Sequence, residues 1–240
     1  MIKIIKKIVR ENRKKQSEIL ALTQEVLWAN IYHDSIRGKE YLEKLSLNIG
    51  RWAGNYPFFY LLNRIMHDAK PERILEFGLG ESSKFISVCL ENNLKRGIHQ
   101  IIEQSDEWNS DFNSKFKLSS FSDVAVCPIK QKTINGFEVN CYDLLENHIH
   151  EKYDLYLIDG PFGSPRFSRY DVIMLAEKLT ASDEFIMIVD DSNRQGEKDT
   201  INELCKLFKN KNIKIYQQVF HGEKQTWIVT TQKYRFLTSI

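Results

Sequence analysis

The sequence predicts an α/β fold: a mainly parallel, seven-stranded sheet with a C-terminal antiparallel hairpin, set behind an N-terminal helical segment. Three observations predict it. From Arg73 onward, short apolar runs alternate with helical patterns, the order that builds a parallel sheet covered on both faces. A strand bearing Glu76 runs straight into Gly78-Leu79-Gly80 and then into hydroxyl residues that open a helix. Acids also stand directly after further apolar runs, at Glu103, Asp159 and Asp190-Asp191, where ligands of such sheets bind.

Taken in order, residues 1–55 form the expected helical segment and 56–240 the α/β domain. Ile5, Ile8 and Val9 share one helical face, and Ile19, Leu20, Leu22, Val26 and Leu27 continue an apolar pattern. Lys and Arg crowd the first fifteen residues. Such a helix suits an anionic membrane surface, its own domain or a second subunit, so peripheral membrane contact and a homo-oligomer both stay open. Gly50 and Gly54 flank a break. Pro57 opens a helix to about Asp68, since proline in a first turn loses no hydrogen bond, and Lys70-Pro71 ends it.

Arg73–Phe77 reads as the first strand, Ser82–Asn92 as a helix and Gly97–Glu103 as the second strand. Ser105–Phe121 contains a helix, and Asp123–Ile129 is the third strand. Asn135-Gly136 marks a turn of a small hairpin inserted before Cys141–His148. Tyr153–Ile158 is the fourth strand, Tyr170–Leu179 a helix, Phe185–Val189 the fifth strand and Asp199–Lys209 a helix. Ile213–Phe220 and Thr226–Thr231 form the terminal antiparallel pair around His221-Gly222.

At 240 residues the chain can bury one sizeable core. The net charge of +2 points to no polyanionic partner, and no basic stripe with interleaved aromatics surrounds the cleft, which disfavours nucleic acid. The four cysteines are scattered, so no zinc cluster is expected; Cys89 and Cys205 read as buried free thiols in a reducing cytoplasm. No run of about 18 apolar residues occurs, and the start lacks the apolar centre and cleavage site of a signal peptide. The expected location is cytoplasmic, with membrane-peripheral contact through the basic helix left open.

At the first strand, Gly78 and Gly80 let backbone approach a ligand closely, and Ser82 or Ser83 can cap the following helix. Glu76 and Glu81 bracket this loop with negative charge, which opposes a diphosphate and suits a cationic ligand. Glu103 falls 23 residues after Gly80, the spacing at which a second-strand acid accepts hydrogen bonds from ribose hydroxyls. Trp108 can lie on an adenine face or simply pack. Asp159, Asp190 and Asp191 converge at two neighbouring strand ends. Because adjacent side chains leave a strand on opposite sides, only one of Asp190 and Asp191 is expected to aim at the centre. The loop from Phe162 to Tyr170 carries Arg166 and Arg169, and with Arg194 these give the cleft an affinity for carboxylate or phosphate.

Over residues 57–232 this set resembles class I S-adenosylmethionine-dependent methyltransferases. The resemblance implies their Rossmann-like fold, with Glu76, Gly78 and Gly80 holding the methionine part of S-adenosyl-L-methionine and Glu103 its ribose. The turn Asp159-Gly160-Pro161, the arginine-bearing loop and Asp191-x-x-Arg194-x-x-Glu197 are similar to glucuronoxylan-type sugar O-methyltransferases and to methyltransferase-like proteins of bacterial surface-glycan clusters. A polysaccharide-biosynthetic role on an anionic small-molecule or glycan hydroxyl follows. Catechol-type O-methyltransferases place metal-binding acids near Asp159, Asp190 and Asp191. Here Asp191 stands where Asn is expected and Phe162 where a lysine is, so no divalent metal is expected. In-line transfer to a hydroxyl also needs a base; Asp159 is the first choice and Asp191 the second, with orientation of Arg194 as the alternative role of Asp191. The rivals are a catalytically silent assembly protein, a catechol-type metal enzyme, and aminopropyl transfer, whose polyamine the Arg166/Arg169 loop would repel.

Overall fold

The computed structural model describes residues 2–149 and 151–239; Met1 and Ile240, at the ends of the expected segment and domain, and His150 lie outside the described residues. A single helix, α1 (Ile2–Ile36), leads through a short α2 (Glu40–Glu43) to α3 (Tyr56–Arg64). Asn55 caps α3 by accepting from the Phe58 N–H, and Pro57 sits in its first turn, as the sequence requires. A π-helical turn at Ile65–Ala69 follows, and Lys70 leaves it in the left-handed conformation (φ 52°) ahead of Pro71.

The sheet contains β1 (Arg73–Phe77), β2 (Ile98–Glu103), β3 (Ser122–Val126), β6 (Leu155–Ile158), β7 (Ile186–Val189), β8 (Tyr216–His221) and β9 (Gln225–Thr230). Its spatial order is β3-β2-β1-β6-β7-β9-β8. The first five strands run parallel; β9 pairs antiparallel with β7 and with β8. Strand order therefore reverses between β1 and β6. There the connections diverge to opposite sides, leaving a crevice at the carboxyl edge.

Alternating residues feed two cores. Ile74, Leu155, Leu157, Ile186 and Ile188 pack against α1, α3 and α4 (Glu81–Cys89). Phe77, Tyr156, Ile158, Met187 and Val189 face α6 (Asp171–Glu177) and α7 (Gln195–Asn210). A smaller cluster of Leu79, Ile101 and Phe112 seats α5 (Asp106–Lys115) beside the glycine loop. The central strands β1, β6 and β7 are buried on both sides, which explains their near-continuous apolar runs.

Several boundaries differ from expectation by a few residues. The third strand stops at Val126, and Ile129 instead opens β4 (Ile129–Ile134), which pairs with β5 (Phe137–Tyr142) through Asn135 and Gly136. Pro128 lacks the N–H needed to continue a ladder. The hairpin takes in Cys141, which was expected after it. Helix α7 begins four residues before Asp199, at Gln195, so that Gly196 lies in its first turn. A Cβ there would stand 2.3 Å from Ser164 O and 2.7 Å from Ser168 Cβ. Gly196→Ala is expected to destabilise the protein by about 1–3 kcal/mol in urea unfolding, the usual cost of overpacking. Among the thiols, Cys89 is buried as expected, whereas Cys205 is only half-buried.

Candidate active site

The glycine loop leaves β1 with Gly78 in a left-handed conformation (φ 95°), its N–H donating to Ile102 O at 2.9 Å. A Cβ at this position would stand 3.3 Å from the Asp159 carbonyl oxygen. Only glycine meets both demands without strain. Leu79 is held through both backbone groups: its N–H donates to Glu103 Oε2 at 2.9 Å, and its carbonyl accepts from Trp108 Nε1 at 2.7 Å. Gly80 donates to Ser83 Oγ at 3.0 Å, and the space above its Cα is open. Glu103 Oε1 accepts from the N–H groups of Gln104 and Ser105 at 2.8 and 2.9 Å. One carboxylate thus clamps the loop after β1 to the end of β2. Trp108 stands half-exposed beside it.

Glu76 occupies a different place from the one expected. It is fully buried, and its two oxygens are taken up by Ser82 Oγ and by His99 Nε2, the latter at 2.8 Å. His99 is itself braced by Ser122 Oγ at 3.0 Å. Glu76 therefore ties β1 to α4 and β2 beneath the loop instead of presenting a free carboxylate to a ligand. Sequence reasoning missed His99, since a lone histidine in a strand carries no signal of its partner. Glu81, at the mouth of α4, accepts from the Asn48 N–H and pairs with Lys84 at 2.7 Å.

At the ends of β6 and β7, Asp159, Asp190 and Asp191 each offer a carboxylate oxygen within 4.8 Å of the others. The expectation that only one of Asp190 and Asp191 would face this point is corrected. Asp191 lies just past β7 in a left-handed conformation (φ 56°), which rotates its side chain toward that of Asp190. Thr226 Oγ1 donates to Asp190 at 3.0 Å.

A second correction concerns the arginine loop. Arg169 does not flank the cleft as a free anion binder; it is 4% exposed and forms the centre of the acid cluster. Its Nη2 donates to Asp159 at 2.8 Å and Asp191 at 3.4 Å, and Nη1 donates to the carbonyls of Asp190 at 2.8 Å and Ile158 at 3.2 Å. Its Nε faces Glu197 Oε1 at 3.7 Å. Arg169 too is left-handed (φ 59°), so two strained, oppositely charged residues meet at the site. Arg166 pairs with Asp199 and lies over the Phe137 ring at 4.6 Å, while Arg194 reaches Asp191 at 3.0 Å with half its side chain in solvent.

Lys224, in the β8–β9 turn, completes the cluster. Its Nζ lies 3.6 Å from Asp191 and 3.8 Å from Asp190, and donates to Ala53 O at 2.9 Å. No sequence motif marked it. The site thus sets four acids, three of them buried and Asp159 partly open to solvent, against three cations of the chain's own.

Burial pushes the Asp159 carboxyl up to about 7; the charges of Arg169 and Lys224 pull it down, and Asp190 and Asp191 raise it. Burial, reinforced by Asp191, likewise raises Asp190. Burial works against the charge of Arg169, yet Asp159, Glu197, Asp190 and Asp191 outweigh it and hold the guanidinium protonated. One carboxyl is poised near neutrality beside a fixed cation, the arrangement a proton acceptor needs.

Two solved structures share this architecture. The chain is similar to the O-methyltransferase from Bacillus cereus in complex with SAH, with a TM-score of 0.56 and 12% identity over 90% of this chain and 100% of that one. It is also similar to cofactor-bound Rv0187 from MTB, with a TM-score of 0.50 and 12% identity over 77% of this chain and 84% of that one. At such identity the likeness establishes the fold: the Rossmann-like form found in methyltransferases, with its C-terminal antiparallel pair. No protein-family model matches the sequence, and neither does any curated protein.

Proposed function

We propose that this chain is an S-adenosylmethionine-dependent methyltransferase acting on a hydroxyl of a sugar, uronic acid or other anionic acceptor. The observation that carries the reading is the convergence of three groups at the switch in strand order. The Gly78–Gly80 cradle, the Glu103 carboxylate and Asp159 all stand at the carboxyl ends of β1, β2 and β6. The cradle fits the nucleoside chemically. Open space above Gly80 admits close approach, and Glu103 keeps acceptor capacity for ribose hydroxyls beyond its three backbone donors. Ser82 and Ser83, in the first turn of α4, shape the loop from below, and Trp108 offers an aromatic face.

S-adenosyl-L-methionine supplies an electrophilic methyl group on a sulfonium. With that group bound over the cradle, Asp159 would accept the proton that the acceptor hydroxyl gives up in attacking the methyl group, and the uncharged thioether would be the leaving group. Arg169 positions Asp159, and Asp191 in turn orients Arg194, whose exposed half is suited to an acceptor carboxylate or phosphate. Arg166, half-exposed on the same loop, adds to that positive rim. Arg169 and Lys224 supply positive charge where the three aspartates would otherwise attract a divalent ion, so the reaction proposed uses none. A groove of about 560 Å³ begins at Ser192 and Gln225, next to Asp191, and is lined by Lys198, Asn202, His221 and Trp227. Amides, a cation and an aromatic face are a set suited to sugar rings.

Calorimetry tests the first half of this reading. Saturable binding of S-adenosylhomocysteine is expected, weakened about ten- to a hundredfold by Glu103→Ala, as follows when hydrogen bonds to a charged group worth roughly 1.5–3 kcal/mol are lost. A folded protein that takes up neither the nucleoside nor its demethylated product would end the proposal. Uptake without turnover on any hydroxylated acceptor would favour a catalytically silent binding protein, a reading to which the Asp159–Arg169 ion pair lends some support.

A further inference from the structure

Residues 3–20 of α1 are exposed on every side and touch nothing in the body of the protein. Ile4, Ile5, Ile8 and Val9 are between 43% and 64% exposed. With about 100° between successive residues, these four fall within an arc of roughly 160°, and Leu20, Leu22, Val26 and Leu27 continue the same arc. The second half of α1 docks through its opposite side. Glu25 accepts from Asn55 and from the N–H groups of Tyr56 and Glu223; Trp28 Nε1 donates to His221 O at 3.0 Å; Tyr32 and Ile36 are buried. The apolar stripe therefore faces away from the catalytic body along its whole length.

Charge selects the partner for that stripe. Residues 3–15 carry seven Lys or Arg against the single acid Glu11, a net +6 in a chain whose total is +2, so the remainder carries −4. Most of these bases lie outside the apolar arc; Arg13 borders it, and Lys15 falls within it. No helix among the described residues is long and apolar enough to cross a bilayer. A second copy pairing through the same stripe would bury Lys15 and lay two +6 segments together, whereas at an anionic headgroup layer the long stems extend and the basic groups gain.

We propose that α1 lies flat on an anionic phospholipid bilayer, its stripe in the acyl boundary, holding the sheet's carboxyl edge close to the lipid surface. Flotation of the full chain with vesicles tests this. Binding to a phosphatidylcholine–phosphatidylglycerol mixture is expected to be at least about tenfold tighter than to phosphatidylcholine alone, and to weaken in high salt. The triple variant K6E/K7E/R10E and the double variant I5S/I8S should each lose at least about tenfold of that binding. Their melting temperatures should not change, since these residues support no tertiary contact. Equal binding to both vesicle types, or no binding by the folded protein, would overturn the proposal. A dimer in light scattering that I5S/I8S dissociates would also overturn it, as would a short oligonucleotide that displaces the protein from vesicles at low occupancy.

Discussion

Asp159→Asn is expected to remove turnover, with a loss of about 10²–10⁴-fold in kcat, the range that a positioned general base contributes. The affinity for S-adenosylhomocysteine should stay within a few-fold, because Asp159 contacts the cradle through its backbone: its N–H donates to Phe77 O at 3.0 Å. In the unaltered protein, kcat/KM should rise with pH up to about 7 and then level off, as the carboxyl held up by burial loses its proton. Stability should move the other way. A folded-state value above the ordinary 3.8 means that the contribution of this group is full below the unfolded value and is lost as pH rises through about 7. Asn carries no such penalty, so the variant should melt at a higher temperature than the parent above pH 7. Full activity in Asp159→Asn would reject the assignment and pass the role to Asp191.

Arg169→Leu should be among the most damaging substitutions to stability. The guanidinium is surrounded by Asp159, Asp191 and Glu197 and caps two strand-end carbonyls, all in a site almost closed to water. Removing it leaves several buried carboxylates without a counter-charge, a loss expected at about 3–5 kcal/mol in urea unfolding. Arg169→Lys keeps the charge but not the planar fork that reaches two acids and two carbonyls together, so it should recover only part. Residual activity in that variant should show its pH limb displaced upward, because Arg169 is the largest influence lowering Asp159. A variant as stable as the parent, with an unmoved pH profile, would mean that the cluster does not depend on this residue.

Much of the scaffold was legible before any coordinates. Arg73–Phe77 has the predicted bounds, the hairpin turns at Asn135-Gly136, and the two terminal strands pair antiparallel. Each of these rests on short-range chemistry: apolar runs, turn residues and a proline with no donor. The strand-end acids were found for the same reason, since position after a buried strand is written along the chain. What those acids do was less legible. Glu76, expected to meet the ligand, spends its carboxylate on Ser82 and His99. Arg169, expected to rim the cleft, is sealed inside it.

By itself, then, the order of residues determined the alternating layers, the crevice at the strand-order switch and the glycine loop that lies beside it. Only the tertiary structure decided which way the charged side chains turn. Asp191 and Arg169 are directed by left-handed backbone that no residue type announces, and Lys224 arrives from a turn 33 residues beyond Asp191. Charges at a buried site settle against whichever opposite charges packing brings within a few ångströms, and that neighbourhood exists only once the chain has closed.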